Sequence, residues 1–105
     1  MYRSILVSLA LFVGVSTALA EDAAERGREL VQDNCAPCHA VGPADESPLA
    51  AAPPFRILGQ RYPLTDLEEA LAEGIVTAHP EMPQFEFEPE DVGAIIAYLE
   101  SIQVP

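Results

Sequence analysis

There is no lysine in this 105-residue chain, and no tryptophan. Basic side chains number five against 17 acidic ones, for a formal net charge of −12. Binding to nucleic acid sets Lys or Arg opposite phosphates, so this composition argues against a nucleic-acid partner, and an anionic membrane surface is disfavoured for the same reason. Cysteine is scarce as well. Cys35 and Cys38 are the two present, so one disulfide is the most that could form. No stretch alternates apolar and polar residues for long enough to make a convincing strand, and no internal repeat is visible. A long hydrophobic span is missing too. The segment from Ile5 to Ala20 includes Ser8, Gly14, Ser16 and Thr17 and falls short of the ~20 apolar residues that cross a bilayer.

What that segment does contain is a leader pattern. Arg3 gives a short basic start, Ile5 to Val15 is almost wholly apolar, and Ala18-Leu19-Ala20 is an A-x-A site. Residues 1–20 are therefore expected to be a secretory signal peptide cleaved after Ala20. The competing reading is an uncleaved membrane anchor. Residues 21–105 would form one small exported domain. The leader removes one arginine and no acidic residue, so the domain is one unit more negative than the whole chain's −12. Such a charge suits a partner with a basic docking patch, or serves solubility alone.

The chemistry centres on Cys35-Ala36-Pro37-Cys38-His39. A C-x-x-C-H run reads as the attachment site of a c-type haem. Each thiol can form a thioether to one vinyl group of the same porphyrin, and the adjacent imidazole then becomes the iron's proximal ligand. The alternative is a disulfide or redox dithiol, which calls for a βαβ pattern that is absent here. A buried porphyrin would also supply apolar volume that a domain this small lacks.

Around the motif the pattern is helical. Asp22 to Asn34 reads as a helix, with Asp22 and Glu25 at capping-box spacing and an apolar stripe of Ala23, Gly27, Leu30 and Val31. Residues 40–64 contain five prolines and read as a long loop, with Phe55, Ile57 and Leu58 available to pack on a cofactor. Thr65 to Glu73 reads as a second helix, capped by Thr65 and Glu68 and closed by Gly74. Pro89 to Gln103 reads as the last, with Val92, Ile95, Ile96, Leu99 and Ile102 on one stripe and Tyr98 beside it.

A six-coordinate iron needs a second axial ligand. Met82 is the only methionine after the leader, and His79 the only other histidine. Met82 sits in His79-Pro80-Glu81-Met82-Pro83, a loop stiffened by two prolines. A thioether there would favour ferrous iron. The competing readings are a gap-filling core methionine and ligation by His79.

In order, Gly27, C-x-x-C-H, a late Met-Pro and the Ile96-Ala97-Tyr98-Leu99 helix resemble class I cytochrome c, particularly its small bacterial periplasmic forms. The resemblance covers the chain from residue 21 onward. It implies an all-α cytochrome c fold, with about three main helices and long loops wrapped around one covalent haem. It implies that the first and last helices cross at Gly27 and Tyr98. It implies that a proline carbonyl, from Pro53 or else Pro54, accepts a hydrogen bond from His39, and that Arg61 and Tyr62 lie at a haem propionate. The family's propionate tryptophan has no counterpart, and its lysine-ring docking mode cannot apply. The function implied is periplasmic one-electron transfer without enzymatic activity, through His39/Met82 ligation. The alternatives are a small haem subunit of a periplasmic dehydrogenase complex, and a ligand-binding or peroxidase-like haem protein.

Overall fold

The computed structural model describes residues 13–74 and 81–105. Among the described residues all regular structure is helical. It comprises α1 (Val13–Asn34), a 3₁₀ helix (Phe55–Gln60), α2 (Asp66–Glu73) and α3 (Pro89–Ile102).

The organising contact is between α1 and α3. Pro89 opens α3, with Glu90 and Asp91 in its first turn. Proline suits that position because its missing N–H has no helical partner there, and the two carboxylates offset the positive end of the helix dipole. Val92, Ile95, Ile96 and Leu99 are buried as their spacing predicts, and Ala94 and Tyr98 are buried with them. Gly27 of α1 lies where α3 passes closest: a Cβ built there would stand 2.0 Å from the Ala94 carbonyl oxygen and 2.8 Å from Tyr98 Cβ. Its helical cost of ~1 kcal/mol against alanine is offset by this backbone-to-backbone approach. Leu30 and Val31 of α1 continue the same packed face into a core that also takes in Val41, Phe55, Leu58 and Leu71. Val31 and Leu99 are the largest fully buried side chains, and full burial of such side chains contributes about 1.5–3 kcal/mol each. An Arg26–Asp91 pair at 3.6 Å also bridges α1 and α3, with the arginine more than half exposed. Exposure of that degree leaves it a minor contribution.

Three expectations need correction. Asp22 does not begin α1, which runs unbroken from Val13. No glycine or proline interrupts residues 15–26, and Ala18-Leu19-Ala20 are good helix formers, so nothing stops the helix at the expected cleavage site. The side chains of Ala18 to Asp22 are exposed, Leu19 by 65%. Thr65 makes no side-chain cap. It is itself in the αR region, and α2 is entered instead through a tight turn in which Glu68 N–H donates to the Thr65 carbonyl.

The proline-rich loop is also not wholly irregular. Pro54, extended at φ −61° and ψ 139°, leads directly into the 3₁₀ helix. Residues three apart eclipse in that helix, so Phe55 and Leu58 fall on one face and join the protein core. Gly74 closes α2 at φ +102°, its N–H donating to the Ala70 carbonyl at 2.9 Å.

Candidate haem site

The motif is a turn spun off the end of α1. The Asn34 amide caps that end by donating to the Leu30 carbonyl at 2.8 Å. Cys35 and Ala36 N–H still reach back to the Val31 carbonyl. The Cys35 carbonyl then receives both the Cys38 N–H at 3.2 Å and the His39 N–H at 2.9 Å. Thiols and imidazole are thus carried on a short, internally bonded corner fixed to a packed helix. The two thiols are unbridged, and burial pushes that of Cys35 up to about 11.

The chain beyond the corner is fastened from several directions. Ala40 N–H donates to Ser47 Oγ at 2.9 Å, and the Ala40 carbonyl accepts from Phe55 N–H at 2.9 Å. Tyr98 Oη donates to the Val41 carbonyl at 2.5 Å. Nδ1 of His39 lies 2.8 Å from the Pro53 carbonyl. A carbonyl can only accept, so Nδ1 carries the proton and Nε2 is the nitrogen left with a free lone pair. The imidazole leans on the Phe55 ring, with centroids 4.8 Å apart and planes inclined by 37°.

A cleft opens beside the corner, with about 800 Å³ of empty space including its mouth. One wall holds Asn34, Cys35, Cys38 and His39. The loop 49–53 contributes Leu49, Ala52 and Pro53. Glu81, Met82, Pro83 and Phe85 complete the lining. Cys35, Cys38, His39 and Met82 therefore line a single mostly apolar cavity. The donor set is the soft and borderline one that suits haem iron, and the apolar walls suit a porphyrin.

Not every candidate reaches the cleft. Arg61 and Tyr62 are exposed at the end of the 3₁₀ helix and are not part of the lining. His79 and Pro80 lie outside the described residues. Phe55, Ile57 and Leu58 do not form its wall; Leu49, Ala52 and Phe85 do. Sequence reading passes over those three because none belongs to a periodic stripe. The stacking of Phe85 on Phe87, centroids 5.9 Å apart, is a contact at alternate positions of an irregular segment.

Comparison with known proteins bears on the same stretch. Residues 22–99 match the family described as cytochrome C oxidase, cbb3-type, subunit III. Cytochrome c-552 of Bradyrhizobium diazoefficiens is 34% identical over 101 residues, covering 96% of this chain and 94% of that protein. No solved structure matches.

Proposed function

This chain belongs to the class I cytochrome c family, as a small bacterial member, and from that membership we propose that it is an exported, non-enzymatic carrier of single electrons with His39 and Met82 as axial ligands. The cofactor is covalent haem c, and Cys35 and Cys38 are the only thiols in the chain to attach it. Haem supplies a one-electron couple at its iron, with the potential set by axial ligands, hydrogen bonding and burial.

The protein's own residues do the rest. The Pro53 carbonyl holds the Nδ1 proton of His39, fixing the tautomer and making the imidazole a stronger donor through Nε2. This 2.8 Å contact, at the wall of a cleft that also carries Met82, is the observation on which the reading rests. Met82, held next to Pro83, offers a neutral thioether that favours the reduced state. With His39 and Met82 both bound, the iron would have no open coordination site for a substrate. Leu49, Ala52 and Phe85 give the cavity apolar walls, which would limit reorganisation when charge changes.

Electron carriers act with redox partners, and a chain of net charge −12 favours those with a basic docking patch. Among the described residues no helix is long and apolar enough to cross a membrane. Removal of residues 1–20 is supported by the exposure of Ala18 to Asp22, which add little to the core. On this reading the working domain, residues 21–105, acts in the periplasm.

One preparation tests the whole reading. Protein isolated from the periplasm should have the intact mass of residues 21–105 plus one haem. Its oxidised form should show the weak far-red absorption of methionine-ligated haem, and Met82→Ala should lose it. Persistence of that band in the variant would sink the assignment of Met82.

A further inference from the structure

The last residues of the chain are fastened to the segment that carries the His39 contacts. Gln103 follows α3, and its amide makes three hydrogen bonds. Oε1 accepts from Gly59 N–H at 2.7 Å. Nε2 donates to the Phe55 carbonyl at 2.7 Å and to the Leu99 carbonyl at 2.9 Å. Val104 N–H adds a backbone bond to the Arg56 carbonyl at 3.0 Å. One side chain thus ties the C-terminal end of α3 to both ends of the 3₁₀ helix.

That helix is the platform under the imidazole. Phe55 lies against the His39 ring. Its N–H is bonded to the Ala40 carbonyl, so its backbone is held from both sides, by Ala40 and by Gln103. Two residues earlier, the Pro53 carbonyl takes the Nδ1 proton of His39. Between the Pro53 carbonyl and Phe55 lies only Pro54. Proline fixes φ, and the peptide units are planar, so this link has little freedom to absorb a displacement. A shift of the Phe55 carbonyl is therefore passed on to the Pro53 carbonyl.

We propose that Gln103 is a positioning residue for His39: by holding the Phe55 carbonyl it sets the hydrogen bond between Pro53 and the axial imidazole, and through it the reduction potential. This rests on the reading of His39 as an iron ligand. Loosening the clasp weakens the Nδ1–H···O=C bond, makes the imidazole a poorer donor, and so favours the reduced state.

The test uses the haem-loaded protein. Gln103→Met keeps the side-chain length and removes the three hydrogen bonds. It is expected to raise the reduction potential above wild type and to speed solvent exchange of the His39 Nδ1 proton, on the order of five- to tenfold for a hydrogen bond lost. Gln103→Glu retains an acceptor for Gly59 but loses both donors. It should move potential and ring-proton exchange in the same direction while the Gly59 amide stays protected. Val104→Ala keeps its backbone bond to Arg56 and trims only an exposed side chain, so it should leave both quantities at wild-type values. A Gln103→Met protein that melts at lower temperature but keeps the wild-type potential and ring-proton exchange overturns the proposal, because its role is then structural only. If Gln103→Met fails to accumulate, Gln103→Glu decides by the same two readouts. Failure of the underlying reading shows separately, as a wild-type spectrum without c-type haem, and removes the proposal with it.

Discussion

Tyr98 does two things in one position. Its Cβ lies at the closest approach of α3 to Gly27, and its hydroxyl reaches the Val41 carbonyl, two residues past His39. Burial pushes this hydroxyl above its ordinary value near 10; Arg28 opposes the shift, and the carboxylates of Asp45 and Glu25 add to it. A folded-state value above the unfolded one means that the folded chain keeps the proton longer. The stabilisation is fully present below about pH 10 and is lost as pH rises through the higher folded value. Tyr98→Phe should cost about 1–3 kcal/mol at neutral pH, since the Val41 carbonyl loses its partner. It should also flatten the alkaline fall in stability. Urea midpoints measured on either side of about pH 10 check both statements. An unchanged alkaline slope would remove Tyr98 as its source.

The α1–α3 crossing gives the prediction that belongs to the scale of elements. Gly27→Ala improves helix propensity by about 1 kcal/mol, but its Cβ would lie 2.0 Å from a backbone oxygen of Ala94. Backbone lies on both sides, so no flexible side chain can yield, and the helices must part. Overpacking of this kind costs about 1–3 kcal/mol or more, and net destabilisation is expected as a lower urea midpoint. A midpoint at or above wild type would show that the helices do not meet there. Elements of this kind were legible in the sequence where periodicity was strong. The Val92–Leu99 stripe placed α3 to within a residue, and Gly74 marked the end of α2. The start of α1 was not legible, because residues 15–21 are themselves helix-forming and the capping signal at Asp22 is overridden by continuity. The 3₁₀ helix was hidden by its prolines, which read as loop although Pro54 sets up its entry. The haem-attachment motif is contiguous and so stood out at once. The Pro53 partner of His39 was reachable only through a family pattern, and Gln103 not at all, since it acts on Phe55 across 48 positions of chain.

At the scale of the whole molecule, the core is narrow. It consists of one helix pair, a 3₁₀ helix and a short α2 gathered beside an open, mostly apolar cleft. Loop 40–54 has Leu49 still 37% exposed and packs toward the cleft. A chain that cannot fill this space has too little apolar burial to offset the entropy of ordering its loops. Cys35→Ala/Cys38→Ala protein, unable to attach haem, should be largely unfolded and show no cooperative melt by circular dichroism. A native-like cooperative transition in that variant would contradict the account. The Gly27 crossing also gives maturation a direction in time. It joins residue 27 to residues 94 and 98, so nearly the full chain must exist before the two helices can meet, and loop closure over that length is the slow, non-local step. A polypeptide made from its N-terminus displays Cys35–His39 while Val92–Leu99 is still to come. The thiols and imidazole sit on a corner closed by hydrogen bonds within residues 31–39, so haem attachment is expected to be possible before the last helix docks and shuts the molecule.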